Sequence, residues 1–410
     1  MSKILIIGTV WPEPDSTAAG NRMLQIIEQF QIKNFEVFFA CAAVIGEFSF
    51  DLKFVNIEMV TIELNNSSFD DFILELKPEI VIFDRFMIEE QFGWRVAENC
   101  PNCLRILDTE DLHFIRNTRF ENFKKQKNTT NEDYLNSDLA KREIASIYRC
   151  DVSLIISEVE LEILTSVFKI DIRILHYLPF LLDEVTDNDF DAFPSFAERQ
   201  HFITIGNFRH EPNWNSVLYL KETIWPLIKR QLPKAEMHVY GSYVTEKAMN
   251  LQNEKDGFLV KGRAKNAFEV IKNARVLLAP IRFGAGLKGK LTDAMQCGTP
   301  SVTTAIGAES MQGNFEWSGK ITDNENDFAN AAIELYLNEN LWKIAQKNGI
   351  EIINERFNKL GFGKLFIDKI IEVKNDLLNH RTNNFIGEIL QMQTLKSTKY
   401  MSKWIEAKNR

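Results

Sequence analysis

The chain has 410 residues, 45% of them hydrophobic and 26% charged, an ordinary globular composition with length enough for two domains and two cores. Its formal net charge of −9 argues against nucleic acid as a partner, because a phosphate backbone is met by a basic surface, yet leaves room for a small anion in a locally basic pocket. The longest apolar run, residues 37–46, is too short to span a membrane, and no cleavable leader precedes the first strand, so a cytoplasmic protein is expected.

In chain order, "KILIIG" (3–8) predicts a buried strand, and Met23, Leu24, Ile27 and Phe30 then recur at helical spacing. "EVFFA" (36–40), "EIVIF" (79–83), "LRIL" (104–107) and "VSLIIS" (152–157) repeat the strand signal with helices between them, the pattern of a parallel sheet covered on both faces. Cys100 and Cys103 form a CxxC between a helix and a strand. With no second pair there is no structural zinc site, and an odd total of five cysteines suits a reducing compartment.

Residues 181–196 are acidic and carry no basic residue, which predicts a solvated linker. A second strand series follows: "HFITIG" (201–206), "EMHVYG" (236–241), "FLVKG" (258–262), "VLLAP" (276–280) and "PSVTT" (300–304). The expected organisation is therefore α/β, two Rossmann-like doubly wound domains facing across a cleft. Residues 1–180 form the first domain, 181–197 a linker and 198–370 the second domain, with 371–410 as helices that cross back to the first. Ligands of such sheets bind at the carboxyl ends of the strands, which puts the site in the cleft.

"GAGLKGKLTDAM" (284–295) has the glycine spacing of a dinucleotide turn and, through Gly289 and Lys290, that of a triphosphate loop. Both readings fail on a second requirement. Leu291 stands where a triphosphate loop needs a hydroxyl for magnesium, and the next strand ends "SVTT" without the ribose-binding acid. What remains is a helix start, which favours an anion, with Arg282, Lys288 and Lys290 around it. A diphosphate there would place a ribose one turn along, at Asp293. No metal-ligand cluster lies near the loop, so no metal is expected.

"PIRFGAGLKGKLTDAMQCGTPSVTTAIGAE" and the upstream "IGNFRHEPNWNSVLYLKETIWPLIKRQLPKAEMHVYG" (205–241) closely resemble the donor-binding domain of the group one (family four) retaining glycosyltransferases of the GT-B fold. "LDTEDLHFIRNTR" (107–119) is similar to a motif of some members. The resemblance implies metal-independent transfer of a sugar from a nucleotide-diphosphate donor (a UDP- or GDP-sugar) to an acceptor hydroxyl with retention, as in polysaccharide biosynthesis. It puts Asp293 on the donor ribose, and Gly20, Arg209, Gly241, Gly286, Leu287, Lys288 and Lys290 on the donor. His113 and Lys290 stand nearest the chemistry, with Asp108, Asp111 and Arg116 toward the acceptor. The sequence departs from the family at three positions: Ala285 replaces the first residue of its paired glutamates, and Asn207 and Asn213 replace its Arg/Lys diphosphate clamp. Two alternatives stay open: a nucleotide-sugar epimerase of the same fold, which also binds a nucleotide sugar between two such domains, and a non-catalytic nucleotide-sugar binder, which those departures leave possible. The acceptor is a glycan, a lipid-linked molecule or a small molecule. The basic stretch Arg116, Arg119, Lys124, Lys125 and Lys127, and the tail "LKSTKYMSKWIEAKNR" (395–410), also leave open a peripheral contact with the inner membrane surface.

Overall fold

The computed structural model describes residues 2–409. Seven parallel strands, β1 (Lys3–Gly8), β2 (Glu36–Cys41), β3 (Glu58–Thr61), β4 (Ile80–Asp84), β5 (Leu104–Asp108), β6 (Val152–Ile155) and β7 (Leu175–Tyr177), form one sheet in the order β3-β2-β1-β4-β5-β6-β7. Six more, β8 (Gln200–Ile205), β9 (Met237–Tyr240), β10 (Phe258–Gly262), β11 (Ala274–Ala279), β12 (Ser301–Thr303) and β13 (Gly319–Ile321), form a second parallel sheet in the order β10-β9-β8-β11-β12-β13. Each order reverses once, between β1 and β4 and between β8 and β11, and those switch points open the crevices where ligands sit. The apolar runs of the sequence are the inner strands, buried along nearly their whole length because helices cover both faces. The strands that the sequence pattern missed, β3, β7 and β13, all lie at sheet edges. They are short and half-exposed, so no continuous apolar run marks them.

The helices that position the site and its supports are α1 (Ala18–Ile32), α2 (Phe86–Asn99), α3 (His113–Lys124), α4 (Asp138–Arg149), α5 (Gly289–Gln296), α6 (Glu339–Arg356), α7 (Lys359–Asn375) and α8 (Phe385–Asn409). The acidic linker is docked at its start, while its carboxylates, Asp183, Glu184, Asp187, Asp189 and Asp191, stay exposed. Leu181 and Val185 are buried, Leu182 N–H donates to Phe357 O at 2.8 Å, and Val185 N–H donates to Asn354 Oδ1 of α6 at 2.9 Å. Immediately afterwards the chain crosses back, at Lys359 rather than beyond residue 370. Phe366, Ile367, Ile370 and Val373 of α7 share one core with Ile4, Ile6, Ile27 and Phe30 of the first domain, and Phe366 meets Phe30 edge-on at 5.3 Å.

Candidate functional site

A cavity of about 1260 Å³ lies between the two sheets, lined from the first domain by the α1 start and the β4 and β5 ends, and from the second by the β8 and β9 ends and the 281–296 segment. On the second-domain side, β11 ends, the glycine loop turns, and α5 begins with Lys288 as its N-cap residue and no side-chain cap. Leu291 N–H turns back to Lys288 O at 2.8 Å, and the Gly289 and Lys290 N–H groups ahead of it take no side-chain cap. Lys290 Nζ donates to Asn213 Oδ1 at 2.8 Å. Asn213 in turn donates to Asn207 O at 3.1 Å, so the two asparagines at the clamp positions hold a lysine in place rather than an anion directly. Asp293 faces the same cavity one turn along. Enclosure by the protein pushes the Lys290 ammonium down to about 8 despite Asp293 nearby, and pushes the Asp293 carboxyl up to about 7 despite Lys290. Lys288 points elsewhere: its Nζ donates to Gly286 O at 2.7 Å, and burial lowers it to about 8 as well.

The glycine loop is fastened to the first domain. Gly286 adopts a φ of +62°, and a Cβ there would stand 2.8 Å from Asp111 Cβ, so only glycine allows the loop to touch that wall. Its N–H donates to Glu160 Oε1 at 2.9 Å, which also accepts from Leu112 N–H at 3.0 Å. Burial raises the Glu160 carboxyl to about 8, with Asp111 adding to the effect, so it is protonated at neutral pH. Arg119 donates to Glu309 Oε2 at 2.7 Å and Oε1 at 2.8 Å, and to Gly284 O at 2.9 Å. Within the basic stretch, Arg119 thus closes an interdomain ion pair. Lys124 and Lys127 pair locally with Glu121 and Asp133.

On the first-domain wall His113 starts α3, its Nδ1 at 3.1 Å from Asp111 O and 3.5 Å from Glu143 Oε1. Glu143 is fully buried and accepts from the His113 and Phe114 N–H groups at 3.1 and 3.0 Å, fixing the histidine from behind. Asp111 and Arg116 are paired. Burial opposes the Asp111 charge, but Arg116, His113 and His210 outweigh it and hold the carboxyl down at about 2.

The cavity brings together Lys288, Lys290, Asp293, Gly241, Gly286, Leu287, His113, Asp111 and Arg116. Four expectations need correction. Asp108 is fully buried under Arg22, with Nε and Nη2 at 3.2 and 3.1 Å from Oδ1, so it is a support of the wall and reaches no acceptor. Gly20 lies behind the cavity: its N–H is taken by Thr17 Oγ1 at 3.0 Å, and a Cβ would meet the Glu13 backbone at 2.5 Å. Thr17, Ala18 and Ala19 form the actual edge there. Arg209 is exposed and stacks on Tyr243 at 3.8 Å. Arg282 turns away to Asn215 at 2.9 Å and lies over Tyr219 at 4.2 Å.

Sequence reasoning missed Arg85 and Glu110, which line the cavity with φ of 72° and 59°. Their position directly after the β4 and β5 strand ends was the available signal. Burial raises the Glu110 carboxyl, with Asp108 adding to the shift. Among the described residues no group of three or more His, Cys, Asp or Glu is arranged to hold a metal ion.

Residues 199–338 match the family described as "Glycosyl transferases group 1". No curated protein matches the chain. Among solved structures, S. aureus TarM (a mutant in complex with fondaparinux, alpha-GlcNAc-glycerol and UDP) is 11% identical with a TM-score of 0.68, covering 92% of this chain and 100% of that one. Anabaena Alr3699/HepE in complex with UDP and glucose is 10% identical with a TM-score of 0.65, covering 91% and 100%. Sucrose-phosphate synthase from Thermosynechococcus elongatus is 14% identical with a TM-score of 0.65, covering 91% and 99%. The whole chain has the GT-B fold, and its second domain carries the group 1 signature.

Proposed function

We propose that this protein, a GT-B chain whose second domain matches the group 1 glycosyltransferases, transfers a sugar from a nucleoside diphosphate to an acceptor hydroxyl with retention and without a metal. One observation carries the reading: an uncapped helix start and the Lys290 ammonium face the cavity together, with the Asp293 carboxylate one turn further on. That is a complementary surface for a diphosphate followed by a ribose. UDP is the nucleotide bound in two of the similar structures, and a UDP-sugar is the donor we assign, with a GDP-sugar as the alternative base.

Charge grows on the diphosphate as the glycosidic bond breaks. Lys290 and the α5 N–H groups stabilise that charge, so their effect falls on the transition state more than on the bound donor. The acceptor proton passes to the leaving phosphate oxygen on the same face of the sugar, which keeps the configuration. His113, held by Glu143, orients hydroxyls of the transferred sugar, while Asp111 and Arg116 line the acceptor side.

The test is a panel of nucleotide sugars in chelator, with and without candidate hydroxyl acceptors, following nucleoside diphosphate release and the anomeric configuration of the product. Acceptor-dependent release with retained configuration is expected. Release of free nucleotide with an altered sugar and no acceptor would make the protein an epimerase. Tight donor binding with no release under any acceptor would make it a binder, and a strict need for magnesium would remove the metal-free mechanism.

A further inference from the structure

Helix α8 is seated by one face and carries an exposed apolar stripe elsewhere. The covered face sits on α2 and α4. Gly387 lies against Tyr148 O, Gln391 donates to Arg149 O at 2.8 Å, and Ser402 accepts from the buried Arg95 at 3.3 Å. The stripe carries Phe385, Ile386, Ile389, Met392, Tyr400 and Trp404, each between 38% and 69% exposed, with Phe385, Ile389 and Met392 along a groove beside Trp94 and Ala97 of α2. An exposed stripe of this size on a helix already anchored by another face is not required by the fold, and marks an interaction surface.

The charges beside the stripe identify the partner. Lys396, Lys403 and Lys408 are exposed on a protein whose net charge is −9, and Lys408 lies over the Trp404 ring at 5.3 Å. Lys399 is tied to Glu98, and Glu388 is the exposed acid at the start of the helix. Protein–protein interfaces are depleted in lysine, whereas a helix that lies in a membrane interface combines an apolar face with flanking lysines and aromatic anchors. Among the described residues no helix is long and apolar enough to cross a membrane, so the helix lies along the surface. We infer that the outward face of α8 docks the protein onto an anionic lipid surface, with Ile389, Met392 and Trp404 entering the headgroup region and the free lysines on the lipid charges. The inference stands apart from the sugar-transfer reading, because α8 contributes nothing to the cavity.

Co-sedimentation of the full chain with vesicles of phosphatidylglycerol mixed with phosphatidylcholine, and with phosphatidylcholine alone, tests it. Binding to the mixed vesicles is expected to exceed that to the neutral ones by about tenfold or more and to weaken with salt. Ile389→Glu with Trp404→Glu should remove it, and Lys396→Glu with Lys403→Glu should reduce it by about tenfold, both with nearly unchanged thermal unfolding because all four side chains are exposed. Equal binding of wild type and variants, or no binding of wild type to the mixed vesicles, would overturn the inference. So would a dimer in analytical ultracentrifugation that the Ile389→Glu, Trp404→Glu variant dissolves, since the stripe would then be the contact between two copies.

Discussion

The two walls of the cleft hold similar numbers of charges and use them differently. On the first-domain wall most charges already have a partner: Asp108 has Arg22, Asp111 has Arg116, Arg85 has Asp84 and Arg119 has Glu309, and the neutral Glu160 accepts from two backbone N–H groups. On the second-domain wall Lys290 is held only by a neutral asparagine oxygen, and the α5 N–H groups have no side-chain cap. Satisfied charges build a surface, whereas incompletely satisfied ones facing a cavity are kept for a ligand, since leaving them so costs stability. Under the proposed function, the contrast divides the cleft into a scaffold side and a binding side. Substitutions on the two sides should therefore be read by different measurements.

The largest effect is expected on the binding side. Lys290→Met should lower turnover about a hundredfold or more, corresponding to roughly 2.7–4 kcal/mol of transition-state stabilisation, while donor affinity falls much less and thermal unfolding stays put. Steady-state kinetics beside calorimetry would decide it. Small and equal losses in both would mean that the backbone N–H groups bind alone.

Next comes the scaffold side. Glu160→Ala leaves the Leu112 and Gly286 N–H groups without an acceptor and should destabilise the protein by about 1–3 kcal/mol. Glu160→Gln should be nearly silent at neutral pH, because burial already keeps the wild-type carboxyl protonated there. Denaturant unfolding of the pair checks this, and equal destabilisation by both variants would break the division of the two walls.

Asp293→Ala should weaken diphosphate binding about tenfold, with Asp293→Asn milder and neither variant destabilised. The pH profile sharpens the same point. Lys290, lowered to about 8 by burial, is charged below that pH and loses its attraction for the anion above it. Asp293, raised to about 7 by burial, is charged above that pH and protonated below it. Diphosphate affinity should therefore peak between about 7 and about 8, with proton uptake on binding on the alkaline side. A flat calorimetric profile would show that the ionisation of Lys290 and Asp293 does not matter for binding. The smallest effect is expected for Arg209→Ala, within about 0.5 kcal/mol in donor affinity, because that guanidinium stacks on Tyr243 outside the cavity.

What the sequence revealed of the site follows the same division. Lys288, Lys290 and Asp293 were legible because they sit within one strand–loop–helix segment, where local spacing decides which face each residue joins. The partners of the scaffold side were not legible. Glu160 reaches Gly286 and Arg119 reaches Glu309 across the domain boundary, and no local pattern encodes a pairing made by two distant stretches of chain meeting in space. Arg282 shows the limit even within a segment. It counts as a third cation near the helix start, yet the strand end turns it onto Tyr219 and Phe123. The inner strands were legible as apolar runs, and the edge strands β3, β7 and β13 were not, because half of each faces water.

The crossing of α7 onto the first sheet bears on how the molecule is made. Domains commonly fold as units in the order of their synthesis. Here the core around Ile4, Ile6, Ile27 and Phe30 is closed by Phe366, Ile367, Ile370 and Val373, which leave the ribosome after the entire second domain. The first half of the chain must therefore wait with an apolar flank open, while one core of the second half, around Phe202, Trp225 and Trp342 and drawn from residues 196–345, can close earlier. Contacts of such long sequence separation slow folding. The part of the protein born first is the part completed last, and the interval between the two is when a nascent chain of this design most needs protection from aggregation.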